Sequence, residues 1–163
     1  MRPKIEIPLK PVDIILEAIS IVIFIVLCLY TAFSWPNLPD TVPVHFGFSG
    51  QADGYGNKSS LLFLLPVILI LYTGLSLLQK FPHIYNYIVE ITQKNALTQY
   101  TCAIRMMRVL KLIIVIIFSY IQFQSIRAAS TGTTSLGLWF LPVVLVLLFG
   151  TLGFYLKASV RNK

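Results

Sequence analysis

Three long runs almost without charge constrain this chain more than any other feature. Leu61 to Leu78, Leu136 to Leu156, and Ile14 to Phe33 with Glu17 as its one charge each come close to the roughly 20 apolar residues that cross a bilayer. The rest of the 163 residues agree, since 56% are hydrophobic and 12% charged, against about 45–50% apolar and about 25% charged in a soluble domain. A water-soluble globular domain is excluded. A fourth run, Leu112 to Phe123, is short by itself but continues from Arg105, Arg108 and Lys111, whose long stems can snorkel to the headgroups. The expected fold is an all-α membrane protein, a single-domain four-transmembrane-helix bundle over 1–163. Its helices are expected at about 13–34, 59–79, 93–126 and 135–157, with an outer loop over 35–58.

The formal charge of +7 reports orientation, not a nucleic-acid partner. Arg2, Lys4 and Lys10 precede the first span; Lys80, Lys94, Arg105, Arg108 and Lys111 lie between the second and third; Lys157, Arg161 and Lys163 follow the fourth. Only Lys58 and Arg127 occupy the other two loops. The positive-inside rule therefore puts both termini in the cytoplasm, and the expected location is the bacterial cytoplasmic membrane. The first apolar stretch is longer than a signal-peptide h-region and no A-x-A-like site precedes Trp35, so it is read as a retained helix. Cys28 and Cys102 fall on opposite sides of the bilayer and cannot pair.

Ser59 or Ser60 can N-cap the second helix, which ends near Gln79 before Phe81-Pro82. Tyr85 to Ile91 alternates weakly and is expected as a short extended piece. Thr92 is the expected N-cap of the third helix, whose first turns project into the cytoplasm. Ser130 to Ser135 reads as a simple turn. Ser59, Leu65, Pro66, Val67 and Gly74 recur 76 residues later as Ser135, Leu141, Pro142, Val143 and Gly150; chance among Leu-rich and Val-rich spans accounts for this better than duplication. A proline and a glycine eight residues apart in each span still predict kinked, closely packed helices there.

The outer loop is the informative segment, because two antiparallel helices need far fewer residues to connect them. Val42, Val44, Phe46 and Phe48 alternate with Pro43, His45 and Gly47, which predicts a strand with one apolar face and His45 pointing away from it. Pro43 limits that strand to an edge or an isolated piece. Gly50, Asp53-Gly54 and Gly56 supply turn positions, and Trp35, Phe46, Phe48 and Tyr55 suit the membrane interface.

Leu38-Pro39, Val42-Pro43-Val44-His45-Phe46, Gly50, Asp53, Tyr55-Gly56 and Lys58 together resemble a bacterial membrane family of unknown function, with the outer-loop pattern LP..(I/V)PVHF...G..D.(Y/W)G.K. Asn95, Tyr100, Arg105 to Lys111 and Leu136-Gly137 resemble its longer version. A similar module opens the Sdp-type immunity proteins, which protect bacteria from a secreted peptide toxin and relay its presence to a cytoplasmic repressor. The resemblance implies recognition outside the cell. At 163 residues, this chain is expected to lack the additional C-terminal immunity region.

His45, Asp53, Lys58, Tyr55 and Phe46 are accordingly the expected residues for recognising a ligand or partner. His45 and Asp53 are both possible zinc ligands, but two fall short of a site even with Asp40 as a third. The structural alternative has Asp53 capping a turn, Lys58 paired with Asp53 or Asp40, and His45 donating to a backbone carbonyl. Glu17, an intramembrane acid, suits a proton or ion relay, yet Arg105, Arg108 or Lys111 can reach it, which favours an ion pair between helices. The same three cations suit anionic lipid. Ser119, Gln122 and Gln124 could line a wet vestibule below the loop, but hydrogen bonds across helices are the favoured expectation.

No nucleophile elbow, paired catalytic carboxylates or phosphate loop occurs, so a non-enzymatic role without cofactor is expected. The first reading is an accessory or immunity-like protein that meets an extracellular peptide or a membrane protein partner through its outer loop. The second is a small transporter or transporter subunit, homo-oligomeric because four short helices enclose little lumen. The third is a membrane metalloenzyme using His45 and Asp53.

Overall fold

The computed structural model describes residues 2–132 and 135–163. Thr133 and Thr134, in the turn expected at Ser130 to Ser135, lie outside the described residues. The elements run α1 (Pro11–Ser34), β1 (Thr41–Phe46), β2 (Ala52–Asn57), α2 (Ser60–Leu78), α3 (Ala96–Thr131) and α4 (Phe140–Arg161). The fold is mostly helical but not all-α, because the segment between α1 and α2 forms a two-stranded antiparallel sheet. Three helices, α1 with the turn after it, α2 and α4, are long and apolar enough to cross a membrane.

Local chemistry sets the helix ends. Pro11 opens α1 at a position where a missing N–H costs nothing, and the Asp13 carboxylate reaches back to accept the Lys10 backbone N–H at 3.0 Å. Ahead of α3, Asn95 Oδ1 accepts the Thr92 N–H at 2.9 Å while Thr92 Oγ1 accepts the Asn95 N–H at 3.3 Å. The pair makes the reciprocal capping-box pattern headed by Thr92, whose carbonyl accepts the Ala96 N–H at 3.0 Å, and the regular helix starts at Ala96 after Asn95. Gly132, at φ +74°, terminates α3 and donates its N–H to the Ala128 carbonyl, as a left-handed cap does. At 36 residues, α3 is about 54 Å long at 1.5 Å per residue.

α3 is the hub of the bundle: α1, α2 and α4 all pack on it, and β1 lies over its far end. Leu27, Ile68 and Val115 form one buried layer with Ile23, Phe24, Leu64, Leu65 and Phe118 around them. Leu38, Val42, Leu61 and Ile126 form a second, under the hairpin. α4 buries none of its residues, and Val146, Phe149 and Phe154 lie exposed along it. In a membrane such a face meets acyl chains, so its exposure carries no penalty.

Three expectations fail here. Tyr85 to Ile91 is irregular, not extended; Tyr85 donates to the Leu78 carbonyl at 2.7 Å, Tyr87 to Pro82 at 3.0 Å, and Arg2 to the Tyr85 carbonyl. Burial pushes the Tyr85 phenol up to about 12, so it stays a neutral donor. α4 begins at Phe140 instead of 135, because the residues before it are engaged with the hairpin. Pro66 lies inside α2, but Pro142 sits in the first turn of α4, and a Cβ on Gly74 or Gly150 would meet nothing within 4 Å. Neither glycine marks close packing.

Candidate functional site

The hairpin owes its shape to two irregularities. Pro43 pairs with Tyr55, His45 with Gly54 and Phe46 with Ala52, which leaves Val44 and Asp53 as extra residues on their strands. Each bulge flips the alternation beyond it. The single apolar face expected from Val42, Val44, Phe46 and Phe48 is therefore absent: Val42 and Pro43 are buried, Val44 is exposed, and Phe48 is 94% exposed at the tip. Gly50 has φ +76° and is the turn residue; Gly54 and Gly56 lie in β2 with negative φ.

The bulges bring His45 and Asp53 together. Nδ1 of His45 lies 2.5 Å from Oδ1 of Asp53, with side chains 71% and 54% exposed. Two glycines make room: a Cβ on Gly54 would come within 2.9 Å of the His45 Cβ, and one on Gly47 within 2.7 Å of Asp53 Oδ2. Asp53 holds the imidazole through Nδ1 while most of the ring stays exposed. The expected donation from His45 to a backbone carbonyl is replaced by this side-chain pair, and Lys58 does not join it. Lys58 instead sits 3.3 Å from Asp40, hydrogen-bonds the Leu38 carbonyl and lies over the Trp35 ring, closing the base of the hairpin. Because Asp40 is 88% exposed, that ion pair contributes little. Tyr55 is exposed on β2, and Phe46 is half-buried.

Both ends of the hairpin are fixed. Its base is held by buried Val42 against Leu38, Leu61 and Ile126. Its tip is latched to the approach to α4, where Leu136 N–H donates to the Gly50 carbonyl at 2.7 Å and Gln51 bridges to Ser135. Gln124 and Tyr120 of α3 tie the same approach by donating to the Ser135 and Leu136 carbonyls. Between tip and latch opens a cavity of about 320 Å³ lined by His45, Phe46, Phe48, Asp53, Gly137 and Phe140. Gly137 and Phe140 of this wall are not among the residues expected at the site. The Leu136-Gly137 pair in the sequence was the available signal.

A second cluster lies at the opposite end of the bundle. Lys111, 1% exposed, places Nζ 2.6 Å and 2.7 Å from the two Glu17 oxygens and 2.7 Å from Ser76 Oγ. Tyr72 donates to Glu17 at 2.7 Å, and its ring lies under the ammonium. Arg108 bridges Asp13 at 3.1 Å and Glu17 at 3.5 Å, while Arg105 holds Asp13 at 3.1 Å. Glu17 thus meets Lys111 and Arg108, whereas Arg105 serves Asp13. Tyr72 and Ser76, one turn apart on α2, join this cluster although neither is charged and no sequence pattern marks them. Of the polar residues farther along α3, Gln122 donates to the Leu61 carbonyl as expected across helices, whereas Ser119 Oγ, against expectation, has no hydrogen-bond partner among the described residues.

Residues 22–70 match the family model described as a domain of unknown function, DUF1648. An uncharacterised protein of Archaeoglobus fulgidus is 31% identical over 87 residues, covering 48% of this chain and 48% of the relative. The chain spans about half the length of the curated relative it matches. No solved structure matches it. The family match covers the hairpin together with the adjoining parts of α1 and α2, and leaves out the charged cluster of α1 and α3. For that segment, the chain is similar to a family of unknown function.

Proposed function

We propose that this is a four-span membrane protein, α1 to α4, with both termini in the cytoplasm, and that its hairpin is an outward recognition element for a peptide or a partner's exposed segment. One observation carries the reading: the exposed His45–Asp53 pair is held on a hairpin fixed at both ends, beside an open cavity. A fixed polar pair next to an apolar recess fits a ligand that offers one hydrogen-bonding group and one apolar side chain. Exposed Phe48, Leu138 and Trp139 enlarge the apolar part of that surface. Likeness to the opening module of Sdp-type immunity proteins favours a secreted peptide as the ligand.

The transporter reading is less well supported. The Leu27, Ile68 and Val115 layer stands between the Glu17–Lys111 cluster and the polar Thr31–Gln122 pair, so the polar groups are not continuous along the bundle. Nor do the described residues bring a third His, Cys, Asp or Glu to His45 and Asp53, which the metalloenzyme reading requires.

The test replaces Phe48 by a photo-crosslinking phenylalanine in cells. Irradiation should yield a discrete adduct with a peptide or protein, and Asp53→Ala and His45→Ala should each cut its yield about tenfold without lowering the amount of inserted protein. In parallel, Phe48→Cys, in a background without Cys28 and Cys102, should react with an impermeant thiol reagent from outside. An adduct of equal yield in both variants, no adduct, or labelling only after lysis would overturn the proposal.

A further inference from the structure

The boundary between α3 and α4 is not a closed seam. Near the Asp13 end a cavity of about 540 Å³ opens among the segment before α1, α3 and α4, with Lys10, Arg105, Thr98 and Thr101 as its polar wall and Leu97 and Phe154 as part of its apolar one. Phe154 and Tyr155 also line a second cavity of about 360 Å³ with Val109, Val146 and Gly150. Leu147 in turn joins that one to a third, of about 470 Å³, lined by Ile116, Ile117, Tyr120 and Val143. Together they form one groove, basic at its mouth and apolar along its length.

Three physical features specify its occupant. In the charged cluster beside the mouth, Arg105, Arg108 and Lys111 outnumber Asp13 and Glu17, leaving a positive charge over, to which exposed Lys10 adds another. Arg105 uses Nε and Nη2 on Asp13, and a guanidinium has five donors, so Nη1 is available to an anion. From Thr101 to Ile117 the groove follows about 24 Å of α3, more than the roughly 15 Å of one leaflet in a core about 30 Å thick. Basic pockets between spans suit lipid headgroups.

We propose that the α3–α4 groove holds one anionic phospholipid, with its phosphate at Lys10 and Arg105 and an acyl chain along Val109, Val146 and Leu147. The lipid completes a helix pair in which no residue of α4 is fully buried. The site is separate from the hairpin and does not depend on what the hairpin recognises.

Native mass spectrometry of protein extracted from vesicles of equal parts phosphatidylglycerol and phosphatidylcholine tests this. Phosphatidylglycerol should be retained about fivefold or more over phosphatidylcholine, and Lys10→Gln should reduce that preference about fivefold. Gly150→Leu, placed where a side chain meets nothing within 4 Å, fills the groove and should lower retention of both lipids with helicity unchanged. Equal retention of the two lipids, or retention unaffected by Gly150→Leu, would overturn the proposal. So would stabilisation by inorganic phosphate equal to that by phosphatidylglycerol, which would make the site one for a free anion.

Discussion

Lys111→Met is expected to lower stability by about 3 kcal/mol, at the lower end of the cost of breaking a buried ion pair by removing one partner. The ammonium touches both Glu17 oxygens and Ser76, and methionine fills its space without supplying a donor. Glu17 would keep Tyr72 and the 3.5 Å contact with Arg108, which is why the loss stays near the low end. The physical reason is asymmetric: losing the cation leaves a desolvated carboxylate, whereas losing both charges leaves none. Glu17→Gln combined with Lys111→Met should accordingly recover at least half of the lost stability, and unfolding in mixed micelles reads the coupling directly. Additive losses in the double variant would mean that Glu17 and Lys111 act separately, and would reopen the relay reading of Glu17.

The second large effect is expected at Gly50. A valine there must adopt φ near +76°, and its Cβ would stand 2.9 Å from the Gly137 carbonyl oxygen. β-Branched residues are disfavoured in that region, and the contact with backbone cannot be relieved by rotating a side chain. The Leu136 N–H to Gly50 carbonyl bond would be lost with it. Gly50→Val should free the hairpin tip and raise protease cleavage between Val44 and Gly54 at least tenfold, while the base, held by Val42, stays closed. Gly74→Ala is the control: with open space around it in the interior of α2, it should gain up to about 1 kcal/mol. Unchanged cleavage of Gly50→Val would show that the latch does not hold the tip.

How much of this the sequence reveals depends on the range of the interaction. Apolar runs determine α1 and α2 to within two residues, because hydropathy acts locally and each run ends in polar or proline-bearing sequence. α4 escapes the same reading: Leu136 belongs to the apolar run by composition, yet its N–H is committed to Gly50, a partner 86 residues away. The ion pair at Glu17 is legible because a lone acid in an apolar run needs a cation and three stand within two turns of α3. Which cation serves which acid is not legible, since the three-residue spacing of Arg105, Arg108 and Lys111 allows every pairing. His45 and Asp53 stand out by composition, but their contact depends on bulges at Val44 and Asp53. Two-residue periodicity contains no signal for an inserted residue, so the same pattern that correctly buries Val42 wrongly buries Phe48.

The central claim is that the segment between α1 and α2 is a fixed structure able to present His45 and Asp53, and not a tether. Amide hydrogen exchange of the protein in lipid nanodiscs tests it most directly, because the Gly47, Lys58 and Leu136 N–H groups donate to the carbonyls of Gln51, Asp40 and Gly50. The account predicts that these amides exchange at least a hundredfold more slowly than an unstructured peptide of the same sequence, with Leu136 losing its protection in Gly50→Val. Exchange of all three at the unstructured rate would contradict it.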